Sequence, residues 1–340
     1  MNSYILPADA TVLVTGANGF IASHTVDKLL DQGFKVRGTV RTPKPWLNEF
    51  FDARYGKGRF ETAIVSDFSD SQSVNNALQG VSGVIHMASD LSFSTDPSTV
   101  IPWVTGATRT ILEVASKHET IRRVVLTSSS RACYMSTWAS TRGIQIDENT
   151  WNEKAIKAAW DPATPEEHKA YAVYAASKTE SEKQAWNWLE KNKPHFDFNT
   201  VLPDFNTGRV LHPEIPGSTI GFTRNLLKGD ASALGLLPPQ CYVDVEDVAR
   251  LHLIALLGEK VKSQRIFAFA GSKNWTDILR VLRELRPSNT LIPDVHANER
   301  HDEAVILPAQ KAEELLREFF GRQGWTSLEE SLAAGITGFE

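Results

Sequence analysis

The sequence has little cysteine, no excess of positive charge and no long apolar segment. Cys133 and Cys241 are its only cysteines, and no Cys/His cluster is present, so neither a disulfide framework nor a metal site is indicated. The formal net charge of −5 gives no electrostatic reason to bind nucleic acid or an anionic membrane. No run of about 18 uncharged apolar residues could span a bilayer, and the first residues lack the pattern of a secretory signal. We therefore expect a soluble, cytoplasmic protein with a small-molecule partner.

Apolar runs alternate with helical periodicity over the first 200 of the 340 residues. Such alternation predicts a parallel sheet covered by helices on both faces, joined by right-handed crossovers. The fold class predicted is therefore α/β, a doubly wound parallel sheet of the Rossmann type. Strands are predicted at 11–15, 35–40, 61–65, 83–88, 124–128 and 198–202, and helices at 20–32, 70–78, 102–117 and 174–192.

The composition changes after Pro203. Residues 203–240 are rich in glycine and proline, as binding loops often are. Helical patterns return at 245–257, 274–285 and 308–320, with a strand-like run at 265–270. We predict a Rossmann domain over 1–203 and, mainly over 204–340, a smaller C-terminal lobe that binds substrate. A segment near 240–250, with a strand at about 240–245, is a candidate to rejoin the large sheet.

A glycine-containing turn, TGANGFIA at residues 15–22, follows the first predicted strand and opens the first helix. Gly16 permits a tight turn, Gly19 lets the backbone approach a pyrophosphate, and Ala22 allows close packing of helix on strand. An ordinary glycine turn is the competing interpretation. The strand–turn–helix context favours a dinucleotide site.

The residues after the second strand indicate which dinucleotide binds. An NAD enzyme usually has an acidic residue there to bond the ribose 2′-hydroxyl. This sequence instead has Arg41 and Lys44, which can pair with a 2′-phosphate. Two solvated surface cations are the alternative. We predict NADP(H), with Asp67 and Phe68 beside the adenine.

Tyr174 and Lys178 are four residues apart on a predicted helix, so their side chains meet. A phenol has a pKa near 10, and we expect the neighbouring ammonium, together with an oxidised nicotinamide, to lower it toward the working range. A hydroxyl donor is expected where the fifth strand ends, at TSSS over 127–130. The residues alone leave open which of these serines serves.

These motifs resemble the extended short-chain dehydrogenases/reductases, and among them the yeast-type NADPH-dependent aldehyde/carbonyl reductases related to dihydroflavonol reductases. The resemblance rests on TGANGFIA, HMA at 86–88, TSS at 127–129, YAASK at 174–178 and YVDVEDVA at 242–249. It implies Ser129, Tyr174 and Lys178 as the catalytic residues. The implied substrate residues are Phe93, Phe205, Leu237 and Gln240. The cofactor-binding set comprises Gly16, Asn18, Gly19, Phe20, Ile21, Arg41, Lys44, Asp67, Phe68, Ala88, Thr127, Pro203 and Ser218, with Tyr174 and Lys178.

The leading hypothesis is an NADPH-dependent reductase that converts aldehydes and ketones to alcohols, with Tyr174 as the general acid. Apolar residues in the variable loops favour a hydrophobic or aryl carbonyl compound. One alternative is a nucleotide-sugar epimerase or dehydratase with bound NAD. Another is a non-catalytic dinucleotide sensor, which would not need Tyr174 and Lys178 at this spacing.

Overall fold

Twelve strands are present in the part of the chain that the computed structural model describes, which is residues 4–294 and 299–339. In chain order they are β1 (Thr11–Val14), β2 (Lys35–Val40), β3 (Phe60–Ile64), β4 (Val81–His86), β5 (Arg123–Thr127), β6 (Gln145–Ile146), β7 (Asp197–Pro203), β8 (Phe205–Thr207), β9 (Gln240–Asp244), β10 (Arg265–Ala268), β11 (Gly271–Lys273) and β12 (Val305–Ile306).

Seven of these strands form one large parallel sheet with the order β10-β7-β5-β4-β1-β2-β3. The chain runs outward from β1 to β3, then returns to β4 on the other side of β1. This reversal beside β1 defines a doubly wound sheet, and the predicted Rossmann fold is confirmed. Because all seven strands are parallel, the loops that follow them meet at one edge.

Helices occupy most of the connections. They are α1 (Phe20–Asp31), α2 (Pro45–Tyr55), α3 (Ser71–Leu78), α4 (Pro97–Ala115), α5 (Glu153–Trp160), α6 (Glu166–Asn192), α7 (Thr219–Leu226), α8 (Ser232–Leu236), α9 (Val245–Leu257), α10 (Trp275–Leu285), α11 (Ala309–Phe320) and α12 (Leu328–Gly335). None of the helices in the described residues combines the length and hydrophobicity needed to cross a bilayer.

The strand at 240–244 does not join the large sheet. β9 lies between β8 and β11 in a separate three-stranded sheet, parallel to β8 and antiparallel to β11. The chain returns to the large sheet through α9, which packs against β4, β5 and β7, and through β10, which pairs with β7. The division of the chain at residue 203 stays a prediction.

Helix α6 begins two turns earlier than predicted. Pro165 precedes its first residue, where a fixed φ suits a helix start, and Glu166 and Glu167 supply negative charge to the first turn. Tyr174 therefore lies well inside the helix rather than at its frayed end. The helix packs on α4 and α5, which holds its position against the large sheet.

Candidate active site

The glycine turn connects β1 to α1 and contacts the ends of two neighbouring strands. Gly16 has φ +67°, and a β-carbon there would lie 3.4 Å from Ala88, just after β4. The Gly16 amide donates to Thr39 Oγ1 (3.1 Å), and the Thr15 hydroxyl accepts from the Ala88 amide (2.9 Å). Gly19 precedes the first helical residue of α1, where backbone N–H groups lack intrahelical acceptors. We call Thr15–Ala22 the phosphate loop, because this geometry suits a pyrophosphate.

The remaining predicted residues of this loop differ in exposure. Asn18 and Ile21 are half-buried, whereas Phe20 is 3% exposed and packs into the core of the C-terminal region. The Phe20 side chain thereby anchors the start of α1.

Two cations follow β2 at the same edge of the sheet. Arg41 is exposed, and Lys44 is half-buried at the residue that precedes α2. Within residues 4–294 and 299–339, neither side chain has an ion-pair or hydrogen-bond partner in the structure. Most other cations near the sheet are paired, as Arg37 is with Glu61. Arg41 and Lys44 thus keep their donors available for an anionic ligand.

Asp67 and Phe68 lie beyond β3. Asp67 is exposed and accepts from the Ser69 amide (2.9 Å) and hydroxyl (2.6 Å), which hold the pKa of its carboxyl below the usual value. Phe68 is buried and meets the His86 ring edge-on at 5.3 Å. The Phe68 ring therefore packs in the hydrophobic core beneath this edge of the sheet.

Tyr174, Lys178 and Ser129 come together where β5 ends. The Ser129 side chain lies near enough to the Tyr174 hydroxyl to lower the pKa of the phenol. Lys178 is buried, one turn along α6, and donates from Nζ to the Thr127 carbonyl (3.3 Å). Ser129 Oγ also accepts from the Arg131 amide (3.2 Å), which orients the hydroxyl. Among the serines of this loop, Ser128 bonds Glu182 and Ser130 bonds Asp204, so Ser129 is the one beside the phenol.

The electrostatics of Tyr174 differ from the expectation. Burial raises the pKa of the phenol, and the neighbouring Ser129 side chain and Arg131 guanidinium lower it only in part. Lys178 is directed at Thr127 and interacts electrostatically with Glu182. Burial lowers the pKa of Lys178 to about 8. Burial therefore keeps the Tyr174 phenol protonated and makes the Lys178 ammonium more acidic than usual. The cation that favours the phenolate is Arg131.

Glu182 lies on α6 itself and was not singled out from the sequence. It is fully buried, one turn beyond Lys178 on α6. Its carboxylate accepts from Ser128 Oγ (2.6 Å), Thr200 Oγ1 (2.7 Å) and Arg265 Nε (2.8 Å). It thereby ties α6 to the residue after β5, to the middle of β7 and to the start of β10. The sequence did contain a signal for Glu182. Residues 174, 178 and 182 are spaced by four, which places them on one face of a helix.

Neutral histidines fill the space beneath the loops. His86 bonds the Thr15 hydroxyl (2.9 Å), and burial, aided by the Lys178 charge, lowers its pKa to about 3. His252 on α9 bonds the Thr127 hydroxyl (2.8 Å), and burial lowers its pKa to about 4. Thr127 thus contributes its carbonyl to Lys178 and its hydroxyl to α9.

A buried ion pair adjoins the phenol and was missed from the sequence. Arg131 Nη2 pairs with Asp204 Oδ1 at 3.2 Å, and both side chains are 4% exposed. The guanidinium also donates to Gln240 Oε1 and lies over the Tyr171 ring at 5.3 Å, and that ring is 6.5 Å from the Tyr174 ring. Asp204 additionally accepts from Ser130 Oγ (2.9 Å). No sequence motif marks an arginine in a serine-rich loop as buried, so this ion pair could be recognised only from the folded structure.

The predicted substrate residues fall in different surroundings. Phe93 is 48% exposed, has φ +52° and places its ring 5.3 Å from that of Tyr174. Gln240 is buried beside Arg131. Phe205 and Leu237 are core residues around Trp275, whose indole N–H donates to the Leu237 carbonyl (2.8 Å). Of these four predicted residues, Phe93 is in contact with Tyr174, and Gln240 contacts Arg131.

Pro203 and Ser218 were predicted to lie near the nicotinamide and ribose. Pro203 is buried at the end of β7, directly before Asp204. Ser218 is exposed, has φ +48° and precedes α7. A serine in the left-handed region is uncommon and is worth examining as a functional position.

The strand order, the glycine turn and the tyrosine–lysine pair on one helix define an extended short-chain dehydrogenase/reductase. Residues 12–268 match the NAD dependent epimerase/dehydratase family, and the chain belongs to this family. The resemblance noted from the sequence motifs is thereby confirmed.

The named relatives include reductases, and two others are named NAD-dependent epimerase/dehydratase. The chain is 44% identical over 335 residues to the ketoreductase nvfG of Aspergillus novofumigatus, with 98% of both chains covered. It is 39% identical over 340 residues to aldehyde reductase 2 of Sporidiobolus salmonicolor, with 98% of this chain and 96% of the relative covered. The fold matches yeast methylglyoxal/isovaleraldehyde reductase Gre2, solved with NADPH, with a TM-score of 0.79 at 25% identity over 96% and 97% of the chains. These findings place the chain among oxidoreductases.

Proposed function

We propose that this protein uses NADPH to reduce an aldehyde or ketone with a hydrophobic or aryl body to the alcohol. The observation that carries the proposal is the placement of Ser129 beside the Tyr174 hydroxyl, with Lys178 one turn along α6 donating to the Thr127 carbonyl where β5 ends. Ketoreductase and aldehyde reductase relatives that match nearly the whole chain support it.

The residues present fit a phosphorylated dinucleotide. The phosphate loop has the backbone turn that a pyrophosphate needs, and Arg41 and Lys44 have donors available for a 2′-phosphate. Gre2 crystallised with NADPH supports the same choice. When bound, NADPH supplies the hydride for the carbonyl carbon.

Each catalytic residue then has one task. Tyr174, a neutral phenol in this site, donates its proton to the carbonyl oxygen as negative charge develops there. The Ser129 hydroxyl donates a hydrogen bond to the same oxygen and holds it beside the phenol. Lys178 binds the nicotinamide ribose and supplies positive charge when the phenol has lost its proton.

The test is NADPH oxidation, followed by absorbance, over a panel of aryl and alkyl aldehydes and ketones, with NADH as the paired control. Tyr174→Phe should lower kcat by about 10²- to 10⁴-fold, the usual contribution of a general acid, while NADPH binding measured by fluorescence stays near wild type. Tyr4→Phe is the matched control, because the Tyr4 hydroxyl bonds Gln32 near the surface. A Tyr174→Phe enzyme with near-normal kcat would refute the assignment.

The family description also favours testing a second function, an epimerase or dehydratase with retained NAD. Extraction of denatured, freshly purified protein distinguishes the two. Stoichiometric NAD in the extract would favour the epimerase, whereas a reductase releases its cofactor at each turnover. No NADPH oxidation over the whole panel, with no bound NAD, would favour a dinucleotide sensor.

A further inference from the structure

Residues 208–218, which we call the crossing loop, connect β8 to α7 and close on themselves. Gly208 has φ +112° and Ser218 has φ +48°, so the chain turns sharply at both ends of the loop. The Thr219 hydroxyl donates to the Asn206 carbonyl (2.6 Å) and thereby joins the two ends. Compact surface loops of this length whose ends lie together are frequently functional.

The first arm of the crossing loop is anchored at α1, the helix that the phosphate loop opens. His24 Nε2 donates to the Arg209 carbonyl (2.7 Å). The Arg209 guanidinium pairs at 3.3 Å with Glu246 on α9, and Glu246 also pairs at 2.9 Å with Lys28 on α1. These contacts hold the arm beside the phosphate loop.

The tip of the crossing loop reaches α2 through an aromatic stack. The His212 ring lies on the Trp46 ring with the centroids 4.5 Å apart and an interplanar angle of 11°. It also meets the Phe50 ring edge-on at 5.4 Å. The Glu214 amide donates to His212 Nδ1 (3.2 Å), which fixes the orientation of the imidazole. The tip is therefore held against α2 by a defined pair of rings.

The crossing loop follows the course expected of the dinucleotide. Trp46, under its tip, is two residues beyond Lys44, one of the cations for the 2′-phosphate. Ser218, at its other end, is predicted to lie beside the nicotinamide and ribose. The phosphate loop lies beside the arm that Arg209 anchors. A dinucleotide that extends from Lys44 past the phosphate loop to Ser218 therefore lies along the crossing loop.

We propose that the crossing loop is a gate over the dinucleotide groove and that the His212–Trp46 stack is its latch. This inference rests on the dinucleotide site of the proposed function, but not on carbonyl reduction. The stack joins two side chains of the protein and involves no atom of the cofactor. It must therefore break both when NADPH enters and when NADPH leaves.

A latch of this kind has a kinetic signature. Weakening it speeds the entry and the release of NADPH by the same factor, so the dissociation constant stays unchanged. A side chain that binds the cofactor directly acts differently, because its loss changes mainly the release rate and therefore the affinity.

Stopped-flow fluorescence of NADPH measures both rates in the intact protein without any carbonyl substrate. Mixing with NADPH gives the association rate, and displacement by excess NADP⁺ gives the dissociation rate. His212→Ala should raise both by about three- to tenfold, the range for one stacked aromatic pair, and leave Kd unchanged. His212→Phe keeps a ring on Trp46 and should keep both rates near wild type. His168→Ala, an exposed histidine in the first turn of α6, is the matched control and should change neither rate.

A substitution on the other side of the stack tests the same latch. Trp46→Leu removes the ring beneath His212 and should raise both rates by a similar factor. The double variant should be no faster than either single variant, because the two residues share one interaction. Should one single variant fail to fold, the other decides the matter alone.

Two results would overturn the proposal. One is an unchanged pair of rates in His212→Ala or in Trp46→Leu. The other is faster release without faster association, which would make the ring a cofactor contact rather than a latch. A protein that reduces no carbonyl compound of the panel can still show the expected rates, so failure of the gate and failure of the proposed reaction are separate results.

Discussion

Replacing Glu182 by glutamine tests whether α6, the helix of Tyr174 and Lys178, is held by a buried charge. The substitution keeps the size of the side chain but removes its negative charge and turns one acceptor oxygen into a donor. Oε1 accepts from Thr200, Arg265 and Trp186, and Oε2 accepts from Ser128 and the second Arg265 nitrogen. An amide nitrogen at either position therefore faces an Arg265 N–H.

The expected loss of stability depends on which contacts of Arg265 remain after the substitution. Removing one partner of a buried ion pair usually destabilises a protein by about 3–5 kcal/mol, and these side chains are 6% and 0% exposed. Arg265 retains the carbonyls of Glu148 (2.7 Å) and Thr150 (2.9 Å) and its contact with the Trp151 ring at 3.8 Å. We therefore expect a loss in the free energy of unfolding of about 2–4 kcal/mol.

Urea unfolding, with an unchanged m-value, is the assay. Glu113→Gln on α4 is the control, because its pair with Arg109 is exposed and should contribute about 0–1 kcal/mol. A loss below about 1 kcal/mol for Glu182→Gln would show that the buried pair contributes no more than a surface pair. That result would refute the reasoning.

The same substitution has a kinetic consequence with a defined sign. Glu182 raises the pKa of Lys178, which burial has lowered to about 8. Without the carboxylate, Lys178 loses its proton at a lower pH, so the alkaline fall of kcat/KM for the carbonyl substrate should begin at a lower pH than in the wild type. A shift to higher pH would contradict this assignment of the charge.

Three further predictions concern the cofactor site and the buried charge. Arg41→Ala should raise the KM for NADPH by about tenfold, the loss of one charge-assisted contact, with little change in the KM for NADH. Arg122→Ala, at the opposite edge of the sheet, is the control. An equal rise in KM with both cofactors would contradict the 2′-phosphate assignment. Lys273 is fully buried at the end of β11, and Lys273→Met should stabilise the unliganded protein by about 2 kcal/mol or more in urea unfolding at pH 6. Because the folded-state pKa of Lys273 is lowered to about 7 from 10.5, this gain should be complete below pH 7 and vanish as the pH rises to 10.5; a pH-independent difference would refute it. Gly38→Ala would put a β-carbon 2.5 Å from Cβ of Ala17 in the phosphate loop, so it should destabilise the protein by about 1–3 kcal/mol and weaken NADPH binding. Gly106→Ala is the control: it lies in an open helical position and should stabilise the protein by about 0.5–1 kcal/mol.

The sequence predicted the parts of the fold whose burial repeats regularly. Strands of the large sheet are apolar on both faces, so runs such as Val124–Thr127 are recognisable without any contact information. Helix α2 was not predicted, because only Leu47 and Phe51 of its residues are buried and Pro45 reads as a turn. β9 is as fully buried as a central strand of the large sheet, and nothing in its sequence shows which sheet it joins.

The candidate site divides in the same way. The glycine turn and the tyrosine–lysine pair are local in sequence, and their spacing alone suggests their geometry. Arg131 and Asp204 come from a loop after β5 and from the residue after β7, and only the tertiary structure brings them together. Each is also a common surface residue type, so nothing in its neighbours marks it as buried.

The raised pKa of Tyr174 has a consequence for the direction of the proposed reaction. A reduction needs the phenol protonated, so that it can give a proton to the carbonyl oxygen, whereas oxidation of an alcohol needs the phenolate. Burial keeps the phenol neutral in the unliganded site, and Arg131, which would stabilise the phenolate, is neutralised in large part by Asp204 at 3.2 Å. At neutral pH the phenol of Tyr174 therefore has the protonation state that a reduction requires. Alcohol oxidation gains only as the pH rises, or when the positive ring of an oxidised nicotinamide stabilises the phenolate.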